Sequence, residues 1–213
     1  MGCRFPSGVL TSRGMNPRDI ARSYDRIAHA WNAETFRRDY GIAAHERAIA
    51  FAREKRHALD VGCGASGRIV DLLTGRGFAV EGLDLSERML ELARNRHPGV
   101  TFHHADIREW GLPRKYDLVS AWDSLWHVPL ADQEAVLRKI LRGLAPGGVF
   151  IFTMGGLDAP SEMVNSDMGV PMYYASPGIP KALAWIDAEE SVCRHLEYDQ
   201  YPERHVCLIA QRA

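Results

Sequence analysis

The 213-residue chain has almost no charge imbalance: 26 basic against 27 acidic side chains leave a formal charge of -1. With no basic excess to hold a polyanion, the composition argues against a nucleic-acid substrate. Lysine is scarce (Lys55, Lys115, Lys139 and Lys181), a bias toward arginine that we assign to coding. No apolar run approaches the ~20 residues a membrane-spanning helix needs. Cys3, Cys63, Cys193 and Cys207 lack the close paired spacing of a zinc site or a disulfide framework, so reduced thiols and a cytoplasmic setting are expected. No metal is expected either, because His103 and His104 have no third ligand near them in sequence. Repeats and low-complexity blocks are missing. Residues 1–14 read as a disordered leader ahead of Met15, and Pro6 stands where an acylation signal would need Ser or Thr. That leaves 15–213 for one large α/β domain.

The most informative stretch is Ala58-Leu59-Asp60-Val61-Gly62-Cys63-Gly64-Ala65-Ser66-Gly67-Arg68. An apolar strand runs into a glycine turn, and a helix opens at Arg68: the first unit of a Rossmann-type nucleotide site. Gly62 and Gly64 can take positive φ and carry no Cβ, so a ligand can lie against bare backbone. The letters also fit G-x-G-x-x-G, a dinucleotide pattern. Asp60 separates the two readings. A carboxylate at the strand's C-terminal end repels a diphosphate but suits an ammonium or sulfonium group, and S-adenosylmethionine (SAM) carries both. The plain alternative is that Asp60 caps the turn.

Ahead of this unit, Asn16-Pro17 opens a helix carrying Ile20, Tyr24, Ile27, Ala28 and Trp31, and a second helix spans about 43–55. Tyr24 and Trp31 read as core aromatics or as a lid. After it, Asp84 closes a second strand about twenty residues past the glycines, where the fold puts a carboxylate on a ribose diol. Asp106, with Ile107 beside it, ends a third strand and offers an acceptor to an adenine amino group; a loop aspartate turning the chain is an equal alternative. Tyr116–Ala121 is a fourth strand, leading into Trp122-Asp123-Ser124-Leu125-Trp126-His127 at the reversal of strand order. An amphipathic helix over 132–144, a sharp turn at Ala145-Pro146-Gly147-Gly148 and a fifth strand over 149–153 follow. From 154 to 180 the pattern breaks down into Gly, Pro, Ser and Met, and we expect a lid or substrate loop with Tyr173 and Tyr174 at its centre. A short helix over 181–186 and a strand pair, 191–198 and 205–210, end the chain.

Asp60-Val61-Gly62-Cys63-Gly64, Leu83-Asp84-Leu85-Ser86 with Met89-Leu90, Ala105-Asp106, and Leu144-Ala145-Pro146-Gly147-Gly148 together resemble the successive motifs of class I SAM-dependent methyltransferases. Ser23-Tyr24-Asp25-Arg26-Ile27-Ala28 with Trp31 is similar to the N-terminal signature of the small-molecule branch of the ubiquinone/menaquinone-biosynthesis type. The resemblance implies a Rossmann-like doubly wound seven-stranded sheet, order 3-2-1-4-5-7-6 with the last strand antiparallel, and extra N-terminal helices. It implies SAM as cofactor, with Asp60, Gly62 and Gly64 around the methionine end, Asp84 on the ribose, and Cys63, Leu85 and Met89 as further cofactor-binding residues. Asp106 and Ile107 then lie at adenine, Ala121 is a further cofactor-binding residue, and Tyr24 and Trp31 become cofactor or lid residues. The sequence departs from the pattern where Ile186-Asp187-Ala188-Glu189 replaces a Gly-Phe before the sixth strand, leaving the C-terminal register open.

Methyl transfer from a sulfonium is an in-line displacement, for which alignment can supply about 7–11 kcal/mol of the barrier. His127 is the candidate base, should the acceptor need to lose a proton; Trp122, Trp126, Tyr173 and Tyr174 are candidate walls for a small-molecule acceptor. Two other functions fit the glycine loop: a non-catalytic SAM-binding module and an NAD-dependent oxidoreductase. The second lacks the Tyr-x-x-x-Lys pair of one common branch. A nucleic-acid methyltransferase would need Asn/Asp-Pro-Pro-Tyr/Phe or a Pro-Cys nucleophile, and the chain has neither.

Overall fold

A computed structural model describes residues 15–31, 33 and 37–213; the expected leader, 1–14, lies outside them. Helices α1 (Pro17–Trp31) and α2 (Ile42–Phe51) precede an alternating run: β1 (His57–Val61), α3 (Arg68–Gly75), β2 (Ala79–Asp84), α4 (Glu87–Arg96) and β3 (Thr101–His104). Then come β4 (Tyr116–Ala121), a one-turn 3-10 helix (Leu125–His127), α5 (Leu130–Gly143) and β5 (Leu144–Gly155). The chain continues through β6 (Ser161–Asn165), β7 (Met172–Ser176), α6 (Ile179–Asp187), β8 (Ser191–Glu197) and β9 (His205–Arg212).

Seven strands form one sheet in the order β3-β2-β1-β4-β5-β9-β8. β1 to β5 pair in parallel, and β9 runs antiparallel to both β5 and β8. With the separate β6–β7 ribbon set aside, this is the expected order, its last strand reversed.

Period-2 alternation divides each central strand between two apolar layers. Leu59, Val119 and Phe150 face α5 and α6, while Ala58, Leu118 and Ile151 face α2 and α3. All six residues of β4 are buried. The one charge among them, Asp117, accepts the backbone N–H groups of Arg56 (2.9 Å) and His57 (3.0 Å) and so ties down the start of β1. No helix among the described residues is long and apolar enough to cross a membrane.

Two expectations change. Leu144-Ala145-Pro146-Gly147-Gly148 is an irregular opening to β5: Tyr116 pairs with Leu144, Leu118 with Val149, and the extra residues bulge where Gly147 takes φ +75°. Residues 154–180 are not a structureless lid. β5 runs on to Gly155, and the β6–β7 ribbon buries Met163, Met172 and Tyr173 against Ile20 and Trp126. Short strands broken by Gly169 and Pro171 gave too little alternation to read.

α1 bridges the sheet's C-terminal edge. Asn16 caps it, accepting the Arg18 N–H at 3.0 Å, as the Asn-Pro start implies. Ser23 Oγ donates to the carbonyl of Pro171 in the ribbon (2.8 Å). Asp25 accepts the Ser86 hydroxyl (2.6 Å) and the Arg88 N–H (3.2 Å) at the start of α4. The helix is thus fastened at both sides of the cleft it covers.

Candidate functional site

A cavity of about 640 Å³ lies beneath α1, at the C-terminal ends of the parallel strands, where open α/β sheets bind ligands. One wall begins at the glycine loop. Gly62 and Gly64 adopt φ +70° and +56°, for different reasons. A Cβ on Gly62 would sit 2.3 Å from Ser124 Cβ, so that position is bare to admit a loop of this same chain. At Gly64 the nearest neighbour would be Trp31 Cδ1 at 3.9 Å, which leaves its backbone open to a ligand.

Asp60, buried at the end of β1, has its carboxyl pushed up to about 6 by desolvation. Behind it, the His45 Nδ1–H faces the Gly41 carbonyl (2.7 Å), so Nε2 is left to meet Ser120 Oγ (2.9 Å). Burial holds His45 down at about 4, and it stays neutral.

Asp84 accepts the Gly64 N–H through Oδ2 and the Ser86 N–H through Oδ1, both at 2.9 Å. The carboxylate is fixed between the glycine loop and α4, and each oxygen keeps a second lone pair. Burial raises its pKa, opposed by these backbone donors.

Asp106 stands two residues beyond β3 and already has a partner: Arg108 spans it from Nη2 (2.8 Å) and Nε (3.0 Å to Oδ2). Burial opposes its charge, but Arg108 outweighs that and lowers its pKa. Ile107, Leu85, Cys63 and Met89 line the cavity near these acids. The Cys63 thiol, pushed well up by burial, is a filler beside β2.

The opposite wall is aromatic. Tyr24, Trp31, Tyr40, Trp122, Trp126 and Tyr174 all line it. His127 Nδ1–H donates to the Tyr173 carbonyl (2.7 Å), which leaves Nε2 to accept from the Tyr24 hydroxyl (2.7 Å) and the Trp126 indole (3.1 Å). Burial depresses His127 to about 4. It is therefore neutral, with its ring nitrogen engaged, and it orients Tyr24 more readily than it takes a proton.

Two expected site residues lie elsewhere. Ala121 is fully buried in the core and not on the cavity surface, because strand parity turns its neighbour Trp122 toward the cleft instead. Tyr173 likewise points away: its hydroxyl donates to Glu162 (2.6 Å) and accepts the Leu130 N–H (3.0 Å), while Tyr174 faces the cavity.

A trio centred on the buried His205 stands outside the expected site residues. His205 on β9, 1% exposed, donates from Nε2 to Asp123 Oδ1 (3.0 Å) and from Nδ1 to Asp199 Oδ1 (2.5 Å). Burial disfavours its charge, but the two carboxylates prevail and lift its pKa to about 9. Asp123 lines the cavity and has φ +56°, held by an N–H bond to Thr153 Oγ1 (2.8 Å). Its place directly after β4, at the switch point, was the available signal; His205 and Asp199 offered none.

Residues 58–148 match the family model described as a methyltransferase domain. A trans-aconitate 2-methyltransferase of Acidovorax sp. (strain JS42) is 40% identical over 116 residues, 53% of this chain and 44% of the relative. A dTDP-3-amino-3,6-dideoxy-alpha-D-glucopyranose N,N-dimethyltransferase of Streptomyces fradiae is 32% identical over 137 residues, 62% of this chain and 52% of the relative. The chain thus spans about half the length of these curated relatives. Among solved structures, a SAM-bound amino pentose methyltransferase from Micromonospora echinaspora superposes with a TM-score of 0.66 at 21% identity, over 88% of this chain and 97% of that one. The magnesium protoporphyrin IX methyltransferase of Synechocystis PCC 6803 gives 0.70 at 17%, over 95% and 100%. The matched region runs from β1 into the opening of β5, the part of the sheet that carries the glycine loop and its acids, and it is this part of the chain that is similar to a methyltransferase domain.

Proposed function

We propose that the protein transfers a methyl group from SAM to a small-molecule acceptor, with 15–213 acting as one methyltransferase unit. The observation that carries this is the row of carboxylates, Asp60, Asp84 and Asp106, at or just beyond the C-terminal ends of adjacent strands β1, β2 and β3, beside the bare backbone of Gly64. A row of acids suits a cofactor with an ammonium, a sulfonium, a ribose diol and an exocyclic amine, and is hostile to a diphosphate. The cavity volume is in the range of small-molecule sites.

When bound, SAM supplies a methyl carbon already activated on sulfur. Asp84, preset by two backbone donors, would receive the ribose hydroxyls. Asp60 would face the amino-acid end, and Leu85 and Ile107 would flank adenine, with Asp106 shared between the adenine amine and Arg108. α1, fastened by Ser23 and Asp25, excludes water over the reacting centre. Tyr24, held by His127, would line the approach of the acceptor. Three unpaired thiols among the described residues, Cys63, Cys193 and Cys207, support a reduced, cytoplasmic setting.

Calorimetry tests the reading. S-adenosylhomocysteine, the demethylated product, should bind one site at micromolar Kd, and NADH should not compete. NADH binding in its place would return the glycine loop to an oxidoreductase. Product binding with no methyl transfer to any small-molecule acceptor would leave a SAM-binding module.

A further inference from the structure

The acceptor half of the cleft has a charge pattern that the cofactor does not explain. Asp84 ends β2 and Asp106 follows β3, on one side of the sheet's switch point. Asp123 follows β4 and is tied the other way, to Thr153 on β5 and His205 on β9. Of the trio, only Asp123 lines the cavity, with 29% of its side chain exposed. Around it stand aromatic rings: the His205 ring lies 5.4 Å from Trp126 and 6.0 Å from Trp122, and the Trp126 ring 6.1 Å from Tyr174.

A carboxylate acceptor would need a cation at this end. The arginines among the lining residues are all engaged. Arg37 pairs with Asp39, and Arg108 with Asp106 and Asp132. Arg68 donates to the Tyr40 carbonyl (2.9 Å) and Ser66 Oγ (2.8 Å), and its charge is shared between Asp60 and Asp123. His127 is neutral. One ordered carboxylate among aromatic faces is instead the chemistry that recognises an alkylammonium group.

We propose that Asp123, set in place by His205 and Asp199, binds the acceptor, and that the acceptor is an amine. This rests on the methyltransferase reading above. A protonated amine docks on Asp123 and releases one proton to solvent. The nitrogen lone pair then forms the new N–CH3 bond as the C–S electron pair stays on sulfur, and the methylated ammonium keeps its remaining hydrogens opposite Asp123. His205 and Asp199 are positioning residues: they fix the carboxylate and touch no substrate.

The test uses the full chain saturated with S-adenosylhomocysteine. A panel of six-membered-ring primary amines is titrated by calorimetry against the same skeletons bearing a carboxylate, and the amines are also incubated with SAM and followed by mass spectrometry. The amines should bind at least tenfold more tightly than their carboxylate counterparts, and at least one should gain 14 mass units. Asp123→Asn, which suits the left-handed backbone, should shrink the preference below threefold while S-adenosylhomocysteine affinity stays within threefold. Asp199→Asn should leave an intermediate preference, a readout that a purely structural role would not move. Carboxylates bound as well as amines, no amine bound, or a preference that survives Asp123→Asn would each overturn the inference and leave the methyltransferase reading standing. Failure of the wild type to take S-adenosylhomocysteine would remove both.

Discussion

Asp84 gives the sharpest test of the cofactor wall, through the isosteric change Asp84→Asn. Each carboxylate oxygen accepts one backbone N–H at 2.9 Å, from Gly64 on one side and Ser86 on the other. An amide has one acceptor oxygen, so whichever way it turns, its NH2 meets a backbone N–H. Leaving such a donor without a partner costs about 1–3 kcal/mol of stability. The same change takes a charged acceptor away from the position we propose for the ribose. One charge-assisted hydrogen bond lost and another weakened amount to about 2–3 kcal/mol, or roughly 30- to 150-fold in affinity. Calorimetry with S-adenosylhomocysteine reads the second quantity and urea unfolding without ligand reads the first. Affinity within threefold of wild type, with an unchanged unfolding midpoint, would refute the assignment of Asp84 to both the loop and the ribose.

Gly62→Ala should destabilise the protein by roughly 2–5 kcal/mol, since it forces a left-handed alanine and drives its Cβ to 2.3 Å from Ser124; chemical denaturation checks it. Stability should also fall on the alkaline side. The His205 pKa is raised to about 9, so its contribution is complete below about pH 6.5 and is lost as pH climbs through 9. His205→Gln should flatten that decline in urea titrations at stepped pH. On the acid side, His45 and His127, both depressed to about 4, contribute above about pH 6.5 and lose that contribution as pH falls through 4.

Much of this was legible in the order of residues because it is local. A strand, a glycine turn and a helix opening at Arg68 lie within a dozen positions, and Asp84 follows at a spacing set by one crossover. What escaped reading had two causes. The first is parity. Tyr173 and Tyr174, or Ala121 and Trp122, are neighbours on opposite faces of a strand, and nothing at a strand's end tells which of the two enters the cleft. The second is distance along the chain. Asp123 and His205 are 82 residues apart and meet only because β9 returns beside β5. The β6–β7 ribbon is hidden for a related reason: its strands are five residues each, and their burial comes from α1 and from Trp126, both distant along the chain.

The ribbon stands outside the main sheet and pairs only within itself, yet it contributes Asn165 and Tyr174 to the cavity surface. Substitutions along it need not disturb the register of β1 to β5 or the acids at their ends. The ribbon is nonetheless anchored to the cavity, through the Tyr173 carbonyl that holds His127 and the Pro171 carbonyl that receives Ser23, so a change along it reaches the aromatic wall while the parallel strands keep their pairing.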